Sequence, residues 1–181
     1  MLFVDIARLL LDMFGALLGV TLLLRAYMNW VGMPSRNQLA QFAMALTDWI
    51  VRPLRRLIPP AGRWDTASLL AAYLVAVAMM AITFLLKGVN VTSLPFAGLL
   101  LGALVQILQW CLYMVFFLTV MHVVFSWINP YAPVAPAVAM LVRPFLAPFQ
   151  RILPPIGGLD LSPLVLIAVV NILLLVLSRL Q

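Results

Sequence analysis

An all-α membrane protein, with four transmembrane helices as two parallel repeats, is the fold class this sequence predicts, and three observations predict it. Hydrophobic residues make up 66% of the chain and charged residues only 9%, far from the mix of a soluble domain. Several stretches approach the roughly 20 apolar residues that a helix needs to cross a bilayer core. A segment containing Pro-Pro, Gly and Asp occurs twice, each time just before an apolar run.

The elements follow in order. A first repeat is expected over residues 1–90, with spans at about 4–26 and 66–86. A second is expected over 91–181, with spans at about 104–127 and 162–180. In the first span Asp5, Arg8 and Asp12 precede the apolar run Met13 to Leu24. Their spacings of three and four put them on one helix face, where ion pairing lowers their cost near a membrane edge. Acidic residues stand where a secretory signal would carry basic ones, so this segment is expected to be retained. The second span is the uncharged stretch between Asp65 and Lys87. In the third, Trp110 and Trp127 are expected to mark the two interfaces, with the segment before Trp110 tilted or flat. Arg179 can snorkel from the end of the fourth.

Between the first two spans, Leu39, Phe42, Leu46, Trp49, Ile50, Leu54 and Leu57 share one face of Gln38 to Leu57. Gln38, Gln41, Asp48, Arg52 and Arg55 share the other, which predicts an amphipathic helix lying in the interface. Pro53 should kink or end it. In the matching region, Ala135 to Ile152, the residues Pro136, Pro144 and Pro148 argue against one long straight helix.

The duplication is read by aligning RPLRRLIPPAGRWDTAS with APFQRILPPIGGLDLSP without a gap. Pro53 meets Pro148, Arg56 meets Arg151, Pro59 and Pro60 meet Pro154 and Pro155, Gly62 meets Gly157, and Asp65 meets Asp160. Upstream, Trp30 meets Trp127, and His122 stands where Arg25 stands in the first copy. Two crossings per unit make the copies parallel, with both surface segments on one side of the membrane. That side holds Arg36, Arg52, Arg55, Arg56, Arg63, Arg143 and Arg151, against Arg8, Lys87 and Arg179 on the other. The basic excess predicts cytoplasmic loops and both termini outside.

The same placement explains the net charge of +6 by membrane topology and anionic headgroups, without nucleic acid. Asp160 or Ser162 can cap the last helix, with Pro163 in its first turn, and Asp65 or Thr66 can cap the second span. Arg151 is then a partner of Asp160 or an anchor to lipid phosphate. The functional alternative has both loops dipping inward to present two Asp and two Arg across a pseudo-twofold axis, as in repeat-built carriers. Cys111 is the only cysteine and His122 the only histidine, so neither an internal disulfide nor bis-His haem ligation within one chain is possible. No catalytic constellation, cofactor motif or metal-ligand spacing is present, so an enzyme is not expected. Gly98, Gly102 and Ala103 form a small-residue face for packing within the chain or between copies.

In Gln150, Arg151, Pro154, Pro155, Gly157, Gly158, Asp160, Leu161, Ser162 and Pro163, the chain resembles the YggT family of integral membrane proteins, also called YlmG-like. Arg25, Asn29 and Trp30, then Ser126 and Trp127, add to the resemblance. The first copy departs from the pattern at Arg63, Trp64, Thr66, Ala67 and Ser68, and His122 replaces an expected Arg. The resemblance implies a bacterial inner-membrane protein linked to osmotic or extracytoplasmic stress resistance and ion homeostasis. The alternative is a scaffold or assembly factor that docks a partner through the basic segment Gln38 to Arg56, since some members lie beside cell-division genes and plastid relatives are linked to cytochrome b maturation. Homo-oligomers or other membrane proteins are the expected partners. No catalytic residues carry over.

Overall fold

Apolar stretches of this length fold as helices because only a helix satisfies its own backbone donors and acceptors in lipid. The computed structural model describes residues 2–86, 88, 96–153 and 160–179. Among them are six helices: α1 (Leu2–Val31), α2 (Gln38–Leu57), α3 (Thr66–Leu86), α4 (Phe96–Ile128), α5 (Ala135–Ile152) and α6 (Ser162–Ser178). Three of these, α1, α3 and α4, are long and apolar enough to cross a membrane. The fourth apolar helix, α6, has 17 residues, or about 25 Å at the usual rise.

Helix α4 runs unbroken for 33 residues, about 50 Å, so the stretch before Trp110 is neither flat nor separate. Trp110 does not mark an interface: it is 2% exposed and lies in the core, filling the notch that Gly19 leaves on α1. Trp127, at the other end, is exposed as expected.

The surface helices depart from expectation at their prolines. Helix α2 continues through Pro53 to Leu57, and α5 continues through Pro144 and Pro148. Both α5 prolines are exposed, while Val138, Leu141, Val142 and Leu146 are buried. Tertiary burial of an amphipathic face thus outweighs the local helix-breaking tendency. The buried face of α2 is also not the large apolar one. Ala40, Ala43, Thr47 and Val51 pack inward, whereas Phe42 and Trp49 are exposed. Small side chains allow close approach to the bundle, which leaves the aromatic edge free to meet lipid.

The packing repeats with the sequence. Helix α1 contacts α2 and α3, and α2 contacts α3; in the second unit α4 contacts α5 and α6, and α5 contacts α6. The units join through α3 with α4 and α1 with α4. Near the C-terminal end of α1, Tyr27 donates a hydrogen bond to the Leu141 carbonyl on α5 at 2.9 Å, and its ring meets Phe145. Both surface helices therefore sit at the same end of α1. Gly102 and Ala103 serve packing inside the chain, with Gly102 facing Met80 of α3.

Candidate functional site

The chemistry concentrates where α1 ends, α2 passes and α3 begins. A charge in this setting is costly unless it is paired, so partners for each one must be found. Arg25, 6% exposed on α1, donates to Thr47 Oγ1 at 2.9 Å and to Asp48 Oδ1 at 2.7 Å. Its Nε also lies 3.7 Å from Asp65 Oδ2. From α2, Arg55 donates to the same Asp65 oxygen at 2.5 Å, and Arg52 reaches Asp48 Oδ2 at 2.7 Å. Asp65, 1% exposed, accepts further hydrogen bonds from the Ser68 hydroxyl at 2.8 Å and the Ser68 N–H at 3.3 Å.

Asp65 thus caps α3 as the sequence predicts, but through Ser68, and it is also the hub that ties α3 to α1 and α2. Thr66 takes a different role: its hydroxyl donates to the Pro59 carbonyl at 3.0 Å. The turn before it closes through mutual backbone hydrogen bonds between Ala61 and Trp64, with Gly62 at φ +62°, where a side chain would be strained. Asn29 donates to the Arg63 carbonyl, and Trp30 packs against Trp64, so the end of α1 holds this turn.

Burial alone would raise the Asp65 carboxyl. The Arg55 and Ser68 hydrogen bonds and the Arg55 charge outweigh it, leaving the group below the usual carboxylate range. Asp48 shows the same balance, with burial opposed by Arg25 and Arg52.

Arg56 is not the partner of Asp65; it is exposed, and Arg55, one residue earlier, makes the pair. The second unit repeats this correction. Gln150, which aligns with Arg55, donates to Asp160 Oδ2 at 2.7 Å, while Arg151 is exposed. Asp160 Oδ1 accepts from the Ser162 N–H at 2.9 Å, and Pro163 lies in the first turn of α6. The Ser162 hydroxyl is fully buried and makes no hydrogen bond. Burial opposes ionisation of Asp160, but contacts with Ser162 and Gln150, with His122 nearby, keep its carboxyl below the usual range. Pro154, Pro155, Gly157 and Gly158 lie outside the described residues.

The two copies are therefore unequal. Across them Arg25 becomes His122, Thr47 becomes Val142, Asp48 becomes Arg143, Arg52 becomes Ala147 and Arg55 becomes Gln150, while Asp65 and Asp160 match. Among the described residues no ion pair or hydrogen bond joins the two motifs across the chain. Each acts within its own unit.

Sequence reasoning missed Thr47, Ser68 and the pairing role of Asp48. It also missed Gly15 and Gly19, whose four-residue spacing is the signal of a close helix contact. A Cβ at Gly15 would meet Met79 on α3, and one at Gly19 would meet Trp110 on α4.

The fold and this junction define a helical membrane protein made of two homologous units, each fastened at one end by a surface helix and an Asp before its last helix. The chain belongs to the CCB3/YggT family, whose model matches residues 4–86 and 101–181. It is 33% identical over 158 residues to the uncharacterized protein YggT of Escherichia coli K12, covering 85% of this chain and 79% of that one. An uncharacterized protein of Pseudomonas aeruginosa is 34% identical over 157 residues, covering 86% and 79%. No solved structure matches.

Proposed function

We propose that the chain is a non-enzymatic protein of the bacterial inner membrane that crosses it four times, keeps both termini outside, and presents a basic platform to the cytoplasm on which a partner assembles. One observation carries this reading: the arginines are divided between two tasks. Arg25 and Arg55 are engaged in the internal ion pairs of the first unit. Arg36, Arg56, Arg63, Arg143 and Arg151 are exposed and have no acidic partner among the described residues. They lie on or beside α2 and α5, and Trp49, Trp64 and Trp127 are exposed as well, a composition suited to the headgroup layer. From Asp5 to Arg25 the α1 axis spans about 30 Å, the depth of a bilayer core. Helix α6 is a few residues short of that, and tilt, local thinning and snorkelling of Arg179 accommodate the difference.

Combined replacement of Arg56, Arg63 and Arg151 by Gln tests the platform in a deletion strain under osmotic shock. Loss of protection by an inserted, normally expressed variant is expected, and full tolerance would sink the reading. A C-terminal reporter is expected to be active only outside the cytoplasm.

A second reading, ion or solute homeostasis, is favoured by a cleft between α1, α3 and α4 that carries charges at one end and the side chains of Gln106 and Gln109 on α4. Purified protein in liposomes distinguishes the two. Salt-dependent flux above empty vesicles supports the second reading, and its absence from demonstrably inserted protein supports the first.

A further inference from the structure

The cleft lies away from the ion-paired junction. It runs along the first half of α1 between the C-terminal half of α3 and the middle of α4, with a volume of about 1260 Å³. Pockets for drug-sized ligands are typically about 300–1,000 Å³, so this one has room for a larger amphiphile. Its walls are mainly apolar: Leu17 and Val20 on α1, Met79 and Met80 on α3, Met114 and Leu118 on α4.

Polar side chains break this apolar lining, Thr83, Gln106 and Tyr113 among them, and two features bear on a headgroup. At the N-terminal end of α1, Arg8 stands between Asp5 and Asp12 on one helix face, and all three line the cleft. Arg8 Nε is 3.9 Å from Asp12 Oδ2, and both side chains are about half exposed, so the pair is loose and open to a competing ligand. Deeper in the cleft is Gln109, 8% exposed, whose side-chain amide has no hydrogen-bond partner among the described residues. The Gln109 amide opens onto the cleft, where it can donate to a ligand oxygen. The neighbouring Trp110 packs on Gly19, which puts Gln109 about 10 Å below Asp12 along the α1 axis.

We propose that this cleft binds one zwitterionic aminophospholipid, a phosphatidylethanolamine. Charge complementarity selects the headgroup: Arg8 takes the phosphate and the flanking Asp5 and Asp12 take the ammonium. A purely anionic headgroup would satisfy Arg8 but face two carboxylates without compensation. Gln109 donates to an ester carbonyl below the phosphate, and the acyl chains lie on the methionine and leucine walls. This site is separate from the basic platform, and neither depends on the other.

Native mass spectrometry of delipidated protein, titrated with phosphatidylethanolamine or phosphatidylglycerol of identical acyl chains, tests the proposal. The wild type is expected to hold one phosphatidylethanolamine about tenfold more tightly than phosphatidylglycerol, the size of one added hydrogen bond to a charged group. Arg8→Gln and Gln109→Leu are each expected to weaken that adduct about tenfold. The wild-type comparison needs no variant to fold. Equal retention of the two lipids, no retained lipid, or a dimer that excludes lipid would each overturn the proposal, as would unchanged binding by both folded variants.

Discussion

Arg25 on α1 donates to Asp48 on α2 at 2.7 Å, and the same guanidinium lies 3.7 Å from Asp65 ahead of α3. One buried cation thereby fastens three segments that the sequence separates by up to 40 residues. Planar Arg suits this position because its donors diverge toward several acceptors at once.

Removing the cation while leaving the carboxylates is the sharpest test of that role. Arg25→Leu is expected to destabilise the protein by about 3–5 kcal/mol, because Asp65 stays buried with only part of its compensation. Arg25→Lys should fall between, since a point charge cannot reach both carboxylates equally well. Arg56→Gln, at an exposed position, is expected to stay within about 0.5 kcal/mol of wild type. Unfolding by increasing denaturing detergent in mixed micelles ranks the three. Equal effects at Arg25 and Arg56 would refute the division between internal and platform arginines.

The depressed Asp65 carboxyl makes this stabilisation depend on pH, and its sign follows from the direction of the shift. The folded state holds Asp65 ionised to a lower pH than the unfolded chain does. Its contribution is complete above the unfolded carboxylate value, about 3.9, and is lost as pH falls through the lower folded value. Thermal stability in detergent should therefore show no Asp65-dependent change from pH 7 to 5 and decline in stronger acid. Asp65→Asn should be less stable than wild type at pH 7, with the two curves converging in acid. A gap that stays constant on into stronger acid would contradict the assignment.

The legible and illegible parts of this molecule divide along physical lines. Apolar runs and the repeated Pro-Pro segment carry the helices and their duplication, because span length and turn chemistry are local. Pairing is not local. From spacing alone Arg55 and Arg56 are nearly equivalent, and only the rotation of α2 against α1 decides that Arg55 meets Asp65. That rotation is set by Ala40, Ala43, Thr47 and Val51, whose small size is a weaker sequence signal than the Leu, Phe and Trp face. Trp110 misleads for a related reason: an aromatic near the end of an expected span suggests an interface, until Gly19 on another helix provides room for it in the core.

Unequal repeats predict unequal sensitivity. Asp65 is buried and paired with cations, whereas Asp160 is exposed and bonded to the neutral Gln150. Arg55→Gln is expected to cost about 1–3 kcal/mol, and Gln150→Ala less than about 1 kcal/mol. Gln150→Arg, which restores the residue of the first copy, should change stability by no more than about 1 kcal/mol at this exposed site. The same detergent titration checks the order. A larger loss at Gln150 than at Arg55 would mean that the second unit, not the first, holds the bundle together.

The α1 glycines separate space filled by a flexible side chain from space filled by a rigid one. A Cβ at Gly15 would fall 2.0 Å from Met79 Cε, the free end of a side chain with several rotatable bonds. A Cβ at Gly19 would fall 2.2 Å from Trp110 Cε3, part of a ring that is itself buried and cannot swing aside. Gly19→Ala is therefore expected to cost about 1–3 kcal/mol by overpacking, and Gly15→Ala distinctly less. Adding Trp110→Leu to Gly19→Ala should recover part of the loss, with a coupling of about 0.5–3 kcal/mol in a double-mutant cycle. Simple additivity would place Trp110 away from Gly19 and undo the contact between the two units that α1 and α4 make here.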